Sequence, residues 1–288
     1  MKRWLERFDT YQHAHVWLAF PVAVVQRYRE NLDTRLAALV TFYGFLSVFP
    51  LLLLLVTIAG LFLQGTNLNH AVVNSALAQF PIIGGTLKQN LHAIARGNVA
   101  AGYISIFGIL AGAFGVTNAL QMAAFTVWRR PLEQWPGLVE RLRIGLKIFT
   151  TLGLVLLLSS AATGVSTFSN SIFGGEPIIG RAVVLVVAFL INAVGYLAVL
   201  RFLAPRGTGL RTLLPGTVVG ALGWTILSAL SGYLLGHKLQ HASQIYGFFA
   251  VVLGLVFWIN LGAHLFLVAS ETNVVVAERA WPVTLRRL

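Results

Sequence analysis

The sequence predicts an all-α fold: a polytopic membrane protein of six transmembrane helices, with an N-terminal amphipathic segment and an external helical hairpin. Three observations carry this. Charged residues are only 10% of the 288 and hydrophobic residues are 57%, where a soluble domain carries about 25% charged residues. The mean hydropathy is +0.78. The apolar residues gather into runs of about 20 or more, enough to cross a hydrocarbon core of roughly 30 Å.

A further observation is where the charge lies. The chain has 21 Lys and Arg against 9 Asp and Glu, a net charge of +12, which in a soluble protein would suggest a nucleic-acid partner. Spans are expected at Leu36–Gln64, Ala100–Val127, Ile148–Phe168, Ala182–Leu200, Leu213–Leu235 and Ile245–Ser270. Of the 21 basic residues, 17 then fall in the N-terminal segment, alternate loops and the C-terminal tail. This is the positive-inside pattern, and it puts both termini in the cytoplasm. The basic loops are therefore read as orientation signals and contacts for anionic membrane lipids, and no nucleic-acid partner is expected. The absence of cysteine removes disulfides, thiolate nucleophiles and Cys-ligated zinc together.

Taken in order, residues 1–35 interleave Trp4, Phe8, Tyr11 and Trp17 with Lys2, Arg3, Arg7 and Arg27. The apolar run 14–25 is too short to cross and contains Pro21. We expect an uncleaved amphipathic segment on the cytoplasmic surface, with a signal peptide as the weaker alternative. The transmembrane domain then runs over 36–275. In the first span Pro50 removes a helix donor and predicts a kink. Tyr43, Ser47 and Pro50 share one side, while Leu46 and Phe49 take another. That stripe suits either helix packing or the wall of a substrate path.

The connection 65–99 is long and has no acidic residue. Apolar positions at helical spacing on either side of Pro81 and Gly84-Gly85 suggest two short helices in an external hairpin. In the second span Gly108, Gly112 and Gly115 form a surface for close packing, and Asn118 follows. The third span becomes rich in Ser and Thr toward its outer end. The fourth contains Asn192 and Tyr196, one turn apart. The fifth repeats small residues at Gly216 and Gly220. His237 and His241 could share a helical face, but no third ligand is evident, and no metal or cofactor is expected.

The sixth span places Tyr246, Asn260, His264 and Glu271 on one face. Ionisable groups at membrane depth are costly, so they are candidates for function by default. His264 and Glu271 lie about 10 Å apart along the axis and cannot bond directly. Glu271 could also simply cap the helix end near Arg279. Residues 276–288 form a basic cytoplasmic tail.

Three stretches resemble the YihY/BrkB family of six-helix bacterial inner-membrane proteins, formerly labelled ribonuclease BN. They are Phe42-Tyr43-Gly44 with Ser47-Val48-Phe49-Pro50-Leu51, the span end Asn118 to Arg130, and Tyr246-Gly247 with Ala269-Ser270-Glu271-Thr272-Asn273. The last departs from the usual form at Ala269, Ser270 and Thr272. The resemblance implies an envelope protein of the bacterial inner membrane, linked to membrane integrity and suspected of exporting lipid or other envelope components. The old nuclease label gains nothing from the residues, because phosphodiester hydrolysis needs clustered metal ligands, so no enzyme is expected. We expect a transporter-like or flippase-like protein for an anionic lipid or envelope precursor, with Tyr43, Ser47, Asn118, Asn192, Asn260, His264 and Glu271 lining a polar interior. The alternatives are a scaffold without transport and, weakest, a membrane-embedded hydrolase.

Overall fold

A computed structural model describes residues 16–62, 114–172, 177–234 and 248–281. They form seven α-helices: α1 Val16–Glu30, α2 Asp33–Phe62, α3 over residues 114–127, α4 Leu138–Ile172, α5 Pro177–Leu203, α6 Leu210–Leu234 and α7 Phe248–Glu278. Only a 3₁₀ turn at Leu132–Gln134 is added to them among the described residues. Among the described residues, four stretches are long and apolar enough to span a membrane: Leu138–Ser159, Leu185–Leu203, Leu210–Ser228 and Val252–Glu278. The first expected span lies on α2, a continuous helix of 30 residues that passes through position 50. The second lies partly, and the external hairpin wholly, outside the described residues.

Helices α4, α5 and α7 run well past their expected spans. α4 begins at Leu138 rather than Ile148, so Arg141, Arg143 and Lys147 are helical. Basic residues mark the end of a span and not the end of a helix. Pro136-Gly137 closes the preceding loop, and Glu140 in the first turn suits the positive end of the helix dipole. α7 likewise continues through Ser270 to Glu278, carrying Glu271 inside the helix.

The helices pack in the series α4, α5, α6, α7, α2, and α1 lies in the corner between α7 and α2. α3 enters the centre, where Ala119, Ala123 and Val127 meet Ala37, Ile148, Leu203, Leu267 and Val274. Small residues set how closely helices approach. At Gly216 an added Cβ would stand 2.1 Å from the Ala269 carbonyl oxygen, so α6 and α7 cross nearly backbone to backbone. Gly115 does the same for α3, receiving the ring of Tyr43 from α2. The outward faces are apolar: Val194 is 69% exposed, Leu146 67% and Phe257 63%. In water such a surface would aggregate, but in hydrocarbon it is the natural exterior.

α1 is held by protein contacts as well as by any membrane surface. Its Ala19, Ala23 and Arg27, each one turn apart, face inward and are buried, with Val24 and Ala23 packed against Val275 of α7. The turn into α2 places Leu32 at φ 56°, a left-handed conformation a branched side chain rarely adopts. That turn sends Asn31 and Asp33 back toward α7.

Candidate functional site

Where α1, α2 and α7 meet, a group of polar side chains is buried almost completely. Glu271 and Asp33 are each 0% exposed, and Arg27 is 6% exposed. A carboxylate removed from water is costly unless paired, so each partner matters. The Asn31 amide donates to Glu271 Oε1 at 2.5 Å. Arg27 donates through both terminal nitrogens to Glu278, while its Nε stands 3.6 Å from Glu271 Oε2. That is an ion-pair distance and too long for a hydrogen bond. Arg129 closes the rim, donating to Glu30 at 3.0 Å and to Asn31 at 3.4 Å.

The accounting leaves a deficit. Neither oxygen of Asp33, nor Glu271 Oε2, has a donor among the described residues. The two carboxyl groups are within hydrogen-bonding reach of each other, and one arginine is shared between Glu271 and Glu278. Two adjacent carboxylates in a poorly solvated place do not both ionise readily. Burial, followed by the neighbouring Glu271 charge, pushes the Asp33 carboxyl up to about 8. A proton on Asp33 supplies one of the missing donors, since its O–H can then reach Glu271. One buried proton therefore balances the site near neutral pH.

The sequence-predicted residues are distributed over several interfaces. His264 Nδ1 meets the hydroxyl of Tyr28 on α1, and burial raises the Tyr28 phenol, keeping its proton available for donation. His264 and Glu271 thus have separate partners on the same small helix, α1. Glu271 is bound to α1 and not to Arg279. Asn260 donates to Thr41 at 3.0 Å, and Asn192 to Thr225 at 3.4 Å. Ser47 donates to the Gly44 carbonyl of its own helix at 2.8 Å. Asn118 is half-buried and Tyr43 packs on Gly115. Tyr246, His237, His241 and the side chain of Pro50 lie outside the described residues. None of the predicted residues that are described lines the cleft of about 470 Å³ that opens between α4 and the end of α5 with the turn after it.

Arg27, Asn31, Asp33, Asn273 and Glu278 were not anticipated as site residues. Two signals point to them in retrospect. With 9 acidic residues in the chain, an aspartate one turn before a span is unusual, and Arg27 continues the small-residue stripe of Ala19 and Ala23. Asn273 contributes differently, since its Oδ1 accepts from the Gly216 N–H at 2.8 Å, next to Pro215 in α6. No group of three or more His, Asp or Glu side chains is placed to hold a metal among the described residues.

The family model described as "Virulence factor BrkB" matches residues 24–285. No curated protein and no solved structure matches the chain. The matched stretch takes in α1 from Val24 onward, every later helix and both carboxyls of the buried site. The chain belongs to the YihY/BrkB family.

Proposed function

We propose that this protein is a transporter-like or flippase-like protein of the bacterial inner membrane, moving an anionic amphipathic lipid or envelope precursor, with no catalytic activity of its own. Both termini lie in the cytoplasm, as the distribution of Lys and Arg argues. One observation carries the transport reading: Asp33 and Glu271 are buried side by side, with Arg27 beside Glu271 as its cation. Intramembrane and near-membrane carboxyl pairs of this kind are where proton uptake can be linked to movement. The charged groups facing the pair are Arg27 and Glu30 of α1, Arg129 after α3, and Glu278 of α7. His264 sits two turns away against Tyr28. Protonation of Asp33 favours α1 docked on α7, and its loss places two negative charges together and favours release.

A second reading has its own support. Asn260 with Thr41 and Asn192 with Thr225 pair across helices, as they would in a scaffold that moves nothing. Reconstitution into proteoliposomes with fluorescent phosphatidylglycerol, phosphatidylethanolamine and a polyprenyl phosphate separates the two. Transport predicts translocation by the wild type that changes with pH, and loss of that pH response in Asp33→Asn. If no lipid moves, and cells carrying Glu271→Gln keep full envelope integrity, the transport reading fails and the scaffold stands.

A further inference from the structure

The first turns of α4 read Glu140, Arg143, Lys147 at helical spacing, so these side chains share one face. That face looks toward the end of α5 and the turn that follows, and the two walls enclose the cleft of about 470 Å³. Arg201 and Phe202 line it from α5, and Arg206 from the turn. The turn is built to present Arg206: Gly207 adopts φ 91°, and Thr208 N–H closes on the Pro205 carbonyl at 3.2 Å.

Four cations line this cleft against one carboxylate. Glu140 is engaged by Arg206 at 2.8 Å, and Arg201 donates to the Thr208 carbonyl at 3.1 Å. Lys147 Nζ lies 5.7 Å from the centre of the Phe202 ring, an orientation that keeps the ammonium at the cleft. Arg143 has no acceptor among the described residues. Two positive side chains therefore converge on a concave site whose one carboxylate, Glu140, is engaged by Arg206.

The surroundings select the anion. The cleft lies at the end of the candidate spans Leu138–Ser159 and Leu185–Leu203, at the side that the basic-residue bias gives to the cytoplasm. Next to the cationic stripe on α4 runs an apolar one, with Leu142 48% and Leu146 67% exposed. A ligand that satisfies both stripes has a negative head and a hydrocarbon tail. Guanidinium and ammonium groups at this level are the usual donors to lipid phosphates. We propose that this cleft binds the phosphate of an anionic lipid headgroup from the cytoplasmic leaflet, Arg143 and Lys147 holding the phosphate while the acyl chains lie along Leu142 and Leu146. This binding is independent of translocation and would persist in a protein that moves nothing.

The test is native mass spectrometry of the full-length protein titrated with phosphatidylglycerol, with phosphatidylcholine and inorganic phosphate as separate arms. The variant Arg143→Ala/Lys147→Ala should bind phosphatidylglycerol roughly tenfold more weakly. A charge-matched variant at exposed positions elsewhere, Arg29→Ala/Arg211→Ala, should stay within about twofold of the wild type. Glu140→Gln, which removes the competing carboxylate, should tighten binding several-fold. Phosphatidylcholine should bind weakly, and inorganic phosphate at equal concentration should not displace the lipid. Equal weakening by both double variants would show diffuse surface attraction and overturn the site. Displacement by inorganic phosphate would show that the free ion is the ligand and overturn the lipid assignment. Equal binding of phosphatidylcholine would remove the role of charge altogether.

Discussion

Between α2, α5, α6 and α7 neutral polar side chains pair across helices, Asn260 with Thr41 and Asn192 with Thr225, and small residues bring the backbones together. Where α1 joins α7, by contrast, two carboxyl groups are buried and three of their four oxygens have no donor among the described residues. These neutral pairs do not change with pH. The carboxyl pair gains a donor between its members only when a proton is added. Depth in the membrane therefore does not by itself mark function here. The mark is a buried group whose needs the protein meets only part of the time.

Substitutions should separate the two regions. The largest effect is expected from Gly216→Ala, because its Cβ would meet the backbone oxygen of Ala269 at 2.1 Å and no side chain can move aside. A loss of more than about 3 kcal/mol, seen as failure to purify a monodisperse protein, is expected; a normal melting profile would contradict the close crossing. Arg27→Ala comes next. It strands Glu271 and Glu278 without their cation, at a cost of about 3 kcal/mol. Adding Asp33→Asn should recover part of that loss, which two independent sites would not show.

Asp33→Asn alone should have a smaller effect, opposite in sign and dependent on pH. The Asp33 carboxyl is raised from 3.8 to about 8, so the folded state holds the proton more tightly than the unfolded chain. Its contribution is fully present below about pH 4 and is lost as the pH rises toward 8. The asparagine amide keeps the donor to Glu271 without a charge. The variant should therefore melt roughly 3–6 °C above the wild type at pH 8 and level with it at low pH. A parallel fall in both proteins would mean that Asp33 is not the titrating group. The smallest effect belongs to the Asn260 and Thr41 pair, where a double-mutant cycle should give about 0.6 kcal/mol with no pH dependence.

Much of this was legible in the chain, and the reason is physical. Apolar runs and basic flanks report directly on the solvent around each segment, so Leu185–Leu203 and Leu210–Ser228 fall close to the expected spans. The glycine spacing of α6 announced a close-packing face, on which Gly216 meets α7 and Gly220 meets Tyr196 of α5. Helix ends were harder, since Arg141, Arg143 and Lys147 mark the edge of the bilayer while the helix continues past it. The site was only half visible. Glu271 stands out within an apolar helix, but Asp33 and Arg27 lie outside any span, and what makes them unusual is a turn at Leu32 that brings two distant segments together. The basic cleft escaped for a similar reason: its cations come from α4, the end of α5 and the turn after it, and each alone resembles an ordinary orientation signal.

The most direct measurement is infrared difference spectroscopy of the purified protein across pH, watching the carbonyl stretch of a protonated carboxylic acid. One such band should be present near neutral pH, disappear as the pH passes about 8, shift in Glu271→Gln and be absent from Asp33→Asn. If the wild type shows no protonated carboxyl at neutral pH, or if the band survives unchanged in Asp33→Asn, then Asp33 and Glu271 do not share a buried proton.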